Sequence, residues 1–201
     1  MKLNALGRAS MNNPVRAWLQ RRYVANLFER LGGRVDSGRV LEVGCGRGAL
    51  LSTLRGRFGA REVVGLDIDA RMLRRARGRE RLVLGDVTAL PFAGSSFDAV
   101  FDFGAIHFVA AWERALDEVR RVLRPGGRYF FEWVTGPLLR SLYPLAAEGF
   151  ERMHAPSPDT LLAALERRGL EVGRACARSR FAAAGTYLVG DVIGVGRVAT
   201  T

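Results

Sequence analysis

The segment that most narrows the fold runs from Arg39 to Phe58. A short apolar stretch, Arg39–Val43, passes directly into Gly44-Cys45-Gly46-Arg47-Gly48, and a helix-patterned run carrying Leu50, Leu51, Leu54 and Phe58 follows. Closely spaced glycines permit a tight turn whose backbone can approach a ligand, and a helix that starts beyond such a turn aims its unpaired amides at it. Strand, tight turn and helix in that order require a neighbouring parallel strand to complete the unit.

The pattern recurs downstream. Glu62–Leu66 is a β-branched run followed by Asp67 and Asp69, and Met72, Leu73 and Ala76 fall on one face of a helix. Arg81–Leu84 and Phe97–Phe101 read as strands separated by a loop over 85–96, and Val109–Leu123 reads as a helix stopped by Arg124-Pro125-Gly126-Gly127. Tyr129–Val134 is the next strand. Alternating strands and helices imply right-handed crossovers, a parallel sheet, and ligands bound beyond the carboxyl ends of the strands.

The ends of the chain differ. Pro14–Leu31 places Val15, Trp18, Leu19, Tyr23, Leu27 and Leu31 at helical spacing, with Asn13 as N-cap, Pro14 in the first turn and Gly32 as stop. Ser157 as N-cap, Pro158 and Gly169 bracket a last helix, and the strand-like Leu170–Ala177 and Tyr187–Val195, with no helix between them, suggest an antiparallel hairpin at one edge. The connection from Thr135 to Pro156, broken by Pro137 and Pro144, is poorly patterned and is where substrate contacts are expected.

With 201 residues, the chain suits one α/β domain rather than two, taken as 1–201 with a helical cap at 1–37 and a core at 38–201. No apolar run approaches the roughly 20 residues of a membrane span, and Met1-Lys2-Leu3-Asn4 does not open a secretory signal, so a cytoplasmic location is expected. Cys45 and Cys176 are too far apart for a disulfide framework or metal spacing and are expected to be free thiols, with no metal bound. The net charge of +11 would suit a nucleic-acid partner, but 30 of the 31 basic residues are Arg, a skew that points to coding bias.

The glycines alone leave two cofactors open. Gly44, Gly46 and Ala49 also satisfy the dinucleotide pattern, with Asp67 near the ribose position, which describes an NAD-dependent oxidoreductase.

The surroundings favour the other. Val40-Leu41-Glu42-Val43-Gly44-Cys45-Gly46-Arg47-Gly48 resembles motif I of the class I S-adenosylmethionine-dependent methyltransferases, small-molecule (type 11-like) branch, in which an acidic residue stands two before the first glycine. Val64-Gly65-Leu66-Asp67-Ile68-Asp69 is similar to the family's second-strand motif. Gly85-Asp86-Val87, Leu90-Pro91-Phe92 and Ser96-Phe97-Asp98 are similar to its adenine and fourth-strand motifs, and Leu123-Arg124-Pro125-Gly126-Gly127 to its helix-to-fifth-strand signature. The resemblance spans roughly residues 38–195. It implies a three-layer Rossmann-like α/β fold with a seven-stranded, mostly parallel sheet, an antiparallel C-terminal hairpin and an N-terminal helix.

The resemblance also assigns roles. Glu42 would hold the loop and the methionine ammonium, and Asp67 the two ribose hydroxyls; Ile68 would pack on adenine, and Asp86 and Val87 would read its edge. Gly44, Cys45, Gly46 and Gly48 would form the turn, and Asp102, Phe103 and His107 would stand beside the sulfonium of S-adenosylmethionine, S-adenosylhomocysteine being the product. His107 first and Asp102 second are the candidate bases for an acceptor that is a weak acid, while His107 as a structural residue is the equal alternative. The acceptor implied is a quinone-like, lipid or secondary-metabolite small molecule. A nucleic-acid methyltransferase, disfavoured by the missing Asn/Asp-Pro-Pro-Tyr/Phe signature, and a noncatalytic cofactor-binding module are the alternatives.

Simpler readings stand beside these. Asp69 is expected to cap a helix, Cys45 to be a small residue in a crowded loop, and the series Arg71, Arg74, Arg75, Arg77, Arg79 and Arg81 to be a solvated face. Trp18 and Tyr23 could cover the cofactor, though aromatic residues at helical spacing usually just pack.

Overall fold

The computed structural model describes residues 14–76, 80–133, 156–177 and 192–200. Its centre is a seven-stranded sheet in the order β3-β2-β1-β4-β5-β7-β6. The strands are β1 (Arg39–Val43), β2 (Glu62–Asp67), β3 (Arg81–Leu84), β4 (Phe97–Asp102), β5 (Leu123–Trp133), β6 (Leu170–Ala177) and β7 (Val192–Val198). The first five are mutually parallel, and β7 runs antiparallel to both β5 and β6, which sets the expected antiparallel pair at one edge. The fold is the three-layer Rossmann-like one that the resemblance implied.

The helices are α1 (Pro14–Leu19), α2 (Ala25–Gly32), α3 (Leu51–Gly56), α4 (Ala70–Leu73), α5 (Trp112–Val122) and α6 (Pro158–Glu166). None is long and apolar enough to cross a membrane among the described residues. Alternation along the strands sends neighbours to opposite faces. Leu41, Val43, Val64, Leu66 and Val100 pack with the apolar faces of α5 and α6. Val40, Val63, Ala99, Phe101 and Phe130 pack on the other side with Phe28 of α2 and Leu51 and Leu54 of α3. Phe101 and Phe130 stack across β4 and β5 with centroids 4.4 Å apart.

The N-terminal segment departs from the single helix expected over 14–31. A π-helical turn, Gln20–Val24, separates α1 from α2. Widening the turn advances the helix face, so that Gln20, Val24, Ala25 and Phe28 are buried while Trp18 is 60% exposed. A count at 3.6 residues per turn had put Trp18 on the apolar stripe. Other bounds differ by a turn: Ile106–Phe108 is a 3-10 turn and α5 begins at Trp112 rather than Val109. Asp69 caps α4 through the Arg71 amide at 2.9 Å, and Ser157 caps α6 through the Thr160 amide at 3.2 Å, both as the sequence indicates.

The strand order reverses direction between β1 and β4, where Val43 pairs with Asp102. Loops leaving two neighbouring strands to opposite sides open a crevice at their carboxyl ends. Gly44 sits at that point with φ +68°, and a Cβ there would lie 2.2 Å from the Ala105 Cβ. Glycine is required by both the backbone and the close approach of the two loops.

Candidate functional site

The crevice holds a cavity of about 590 Å³. Of the residues singled out in the sequence, Glu42, Gly44, Cys45, Gly46, Asp67, Ile68, Asp86, Val87 and Phe103 line it. They come from the ends of β1, β2, β3 and β4, so the sheet brings together positions up to 61 residues apart, from Glu42 to Phe103.

Asp67 is the hinge of this arrangement. Its Oδ2 accepts from the Gly46 amide at 2.8 Å and its Oδ1 from the Asp69 amide at 2.8 Å. Each carboxylate oxygen retains a further lone-pair direction for a ligand hydroxyl. The Cys45 amide donates to the Leu66 carbonyl at 3.0 Å, so the glycine turn is bonded to the neighbouring strand at two points.

Glu42 is only 3% exposed, and its Oε2 has no hydrogen-bond partner among the described residues. Burial, reinforced by the nearby carboxylates of Asp67 and Asp102, pushes its pKa well above the ordinary carboxylate value. Buried carboxyl oxygens are normally bonded, and one that faces a cavity without a partner fits a cationic donor such as an ammonium. The charge of the wall agrees: four carboxylates, Glu42, Asp67, Asp69 and Asp86, line the cavity against two arginines, Arg21 and Arg47, in a chain whose net charge is +11. The residues present therefore fit the amino-acid and ribose ends of S-adenosylmethionine.

Asp86 binds its own turn, its Oδ1 accepting from the Thr88 amide and the Thr88 hydroxyl, each at 2.8 Å, and the amide bond above all holds its pKa below the usual value. Cys45 is 5% exposed, and burial beside Glu42 and Asp67 pushes its thiol far up, away from nucleophilic use.

Three of the assigned residues stand behind the wall instead of in it. Gly48 is buried and closes the turn, its amide donating to the Cys45 carbonyl at 2.8 Å. Asp102 is fully buried and its carboxyl is consumed locally: Oδ1 accepts from the Ala105 amide at 2.6 Å and the Ile106 amide at 3.3 Å, and Oδ2 from the Tyr129 hydroxyl at 3.1 Å. Desolvation raises its pKa to about 7 despite those bonds. His107 is 2% exposed, its ring 4.2 Å from that of Phe108 and 6.2 Å from that of Trp133. Asp102 is the last residue of β4, and strand alternation turns its side chain to the same face as Val100, toward Tyr129, while Phe103 faces the cavity. Beyond the turn at Gly104, with φ +82°, Ala105 and Ile106 face the cavity and His107 does not.

The helical cap contributes through residues to which the motifs assign no role in the site. Pro14, Ala17, Gln20 and Arg21 line the cavity, whereas Trp18 and Tyr23 do not. Gln20 Nε2 donates to the Phe103 carbonyl at 2.8 Å and to Glu132 Oε2 at 3.0 Å, and Arg21 clasps the Ala49 carbonyl with Nη2 at 2.7 Å. Gln20, next to Arg21 and Arg22, falls off the apolar stripe at 3.6 residues per turn, and the π-helical turn that aims it inward cannot be read from residue spacing. The expected substrate contacts between residues 135 and 156, the Asn13 cap, and Arg77 and Arg79 lie outside the described residues, apart from Pro156. So do the side chain of Cys176 and the first part of the expected strand from Tyr187.

Comparison with known proteins finds relatives of the chain. Residues 41–131 match the family described as "Methyltransferase domain". The chain is 36% identical over 143 residues, 69% of its length, to the malonyl-[acyl-carrier protein] O-methyltransferase of Erwinia pyrifoliae, covering 53% of that protein. It is 41% identical over 112 residues, 52% of its length, to the phthiotriol/phenolphthiotriol dimycocerosates methyltransferase of Mycobacterium tuberculosis, covering 41% of it. The chain thus spans about half the length of the curated relatives it matches. Among solved structures, the putative methyltransferase in complex with the Haloferax volcanii Trm112 activator shares the fold, with a TM-score of 0.74 and 20% identity over 98% of this chain and 100% of that one.

Proposed function

Because the chain is a member of the class I S-adenosylmethionine-dependent methyltransferases, we propose that it transfers a methyl group from S-adenosylmethionine to a small-molecule or lipid-linked acceptor, by in-line attack of the acceptor nucleophile on the methyl carbon. The observation that carries this is the buried, unpartnered Glu42 Oε2 in a cavity that Asp67, at the end of the neighbouring strand, also lines. When bound, S-adenosylmethionine supplies a methyl group already activated by its sulfonium, so the protein's contribution is chiefly orientation and exclusion of water.

Each residue then has a defined task. Glu42 pairs with the ligand's ammonium, and Asp67, while holding the glycine turn, accepts from the ribose hydroxyls. Ile68 and Val87 flank the adenine, whose amino group donates to Asp86. Phe103 and Ala105 bound the reacting end. One part of the remaining wall, from Pro14, Ala17, Phe108 and Val109, is apolar and suits the hydrocarbon part of an acceptor, while Gln20, Arg21 and Arg47 line another. The two relatives act, by their names, on a malonyl group carried by a protein and on dimycocerosates, which supports an acyl or lipid acceptor. Asp102 and His107 are assigned to positioning of the β4 loop, not to proton transfer, because neither faces the cavity.

Calorimetric titration with S-adenosylmethionine, S-adenosylhomocysteine and NAD in parallel, on the wild type and on Asp67→Ala, tests the reading. Binding of the methyl donor or its product that Asp67→Ala weakens supports it. Binding of NAD alone, or of none of the three, overturns it.

A further inference from the structure

A second concavity, about 580 Å³, opens at the opposite end of the sheet, where β1, β4 and β5 begin. It lies one strand length from the methyl-transfer cavity, roughly 17 Å for five residues. Five arginines line it, Arg34, Arg39, Arg61, Arg124 and Arg128, against two aspartates, Asp36 and Asp98.

The aspartates are already committed. Asp36 accepts from Arg34 Nε at 2.8 Å, and Asp98 accepts from the Arg39 amide at 2.7 Å and from Arg124 Nη1 at 2.8 Å. Arg39 also pairs with Glu62 at 3.0 Å, just outside the bowl. Among the described residues Arg61 and Arg128 form no ion pair.

Arg128 is the more telling of the two. Its guanidinium is part-buried, lies over the Phe130 ring at 5.6 Å, and donates to the carbonyls of Gly32 and Arg34. Burial first, and then the facing Arg197, push its pKa down. Asp36 and Asp98 offset this only in part, so the guanidinium, hydrogen-bonded to neutral carbonyls, has lost water without a full counter-charge, and an anion would offset that cost. Guanidinium forks held in one orientation match phosphate oxygens better than mobile ammonium groups do. The bowl is open to solvent between the 34–38 loop on one side and the turn at Pro125-Gly126-Gly127 on the other, so a small anion can reach the guanidinium groups at its floor.

We infer that this bowl is a binding site for a compact, multiply charged phosphate anion, held by Arg61, Arg124 and Arg128 at the end of the sheet remote from the methyl donor. Placing a phosphate there is independent of the methyltransferase reading.

The probe is inorganic tripolyphosphate, titrated calorimetrically into the full chain at low ionic strength. The wild type is expected to bind it saturably at one site, the affinity falling as salt rises. Arg61→Gln/Arg124→Gln should weaken binding at least tenfold, while Arg71→Gln/Arg74→Gln/Arg75→Gln, which removes more charge from exposed positions elsewhere, should change it less than twofold. Far-UV circular dichroism and a thermal melt of each variant report whether the fold is kept. If the double variant fails to fold, Arg61→Gln alone, at an exposed residue without an ion pair, should still weaken tripolyphosphate at least threefold. Absence of saturable binding, or equal weakening by the control triple variant, overturns the site. Bowl-dependent binding of a DNA duplex without binding of tripolyphosphate overturns it in favour of a nucleic-acid surface.

Discussion

Asp67 accepts the Gly46 amide at 2.8 Å, so the residue expected to take the ligand's ribose also ties the glycine turn to the second strand. Ligand recognition and loop geometry share one carboxylate.

Replacing Asp67 therefore removes two things at once. Asp67→Ala should weaken S-adenosylhomocysteine by about 2–4 kcal/mol, from hydrogen bonds to a charged acceptor worth roughly 1.5–3 kcal/mol each and from a loosened turn. Asp67→Asn keeps one acceptor oxygen and should lose less. Calorimetry on the two variants decides; equal affinities for wild type and Asp67→Ala would remove Asp67 from the site.

Glu42 has a raised pKa, and the sign of its effect follows. Its folded-state pKa lies above the unfolded one, so its contribution to stability is present at low pH and is lost as pH rises through the raised value. At neutral and higher pH, Glu42→Gln should stabilise the ligand-free protein, by about 1 kcal/mol or ~2–4 °C in Tm. A ligand ammonium favours the carboxylate, so binding releases a proton and affinity should climb with pH across the same interval. Glu42→Gln should bind more weakly and flatten that climb; a variant with the wild-type pH dependence would show that Glu42 does not meet the ligand's charge.

Asp102 titrates at about 7 in the folded chain, against an ordinary value of 3.8. Stability from this group is fully present below pH ~4 and declines as pH rises towards and through 7. Asp102→Ala should cost roughly 2–4 kcal/mol, because the Ala105 amide and the Tyr129 hydroxyl lose an acceptor in the interior. Asp102→Asn should cost less and should remove the decline. Denaturant melts across pH 4–8 would show it, and a full loss of turnover with unchanged stability would return Asp102 to a chemical role.

Gln20 connects the helical cap to the loop after β4 and to Glu132. Gln20→Ala should speed amide exchange over Pro14–Leu19 and weaken cofactor binding by about 1–2 kcal/mol, while Trp18→Ala, at a 60% exposed position, should leave both unchanged. Identical exchange in the two variants would show that the cap is held by packing alone.

Local rules settled much of this protein in advance. The strand bounds of Arg39–Val43, Arg81–Leu84 and Leu170–Ala177, the caps at Asp69 and Ser157, and the glycine turn are set by patterns a few residues long, because alternation, capping and positive φ depend on near neighbours. The alternation of strands and helices along the chain likewise indicated the parallel sheet. What the tertiary structure alone decided is which side chains reach the cavity. Asp102 ends β4 and His107 follows it, yet strand alternation turns Asp102 toward Tyr129 and the 3-10 turn at Ile106–Phe108 buries His107, so both stand behind the wall. Gln20 reaches it because a π-helical turn shifts the cap by part of a turn. The five arginines of the second bowl, scattered from Arg34 to Arg128, meet only when β1, β4 and β5 align their first residues. Side-chain direction and long-range neighbours are properties of packing between elements, and no short window of sequence contains them.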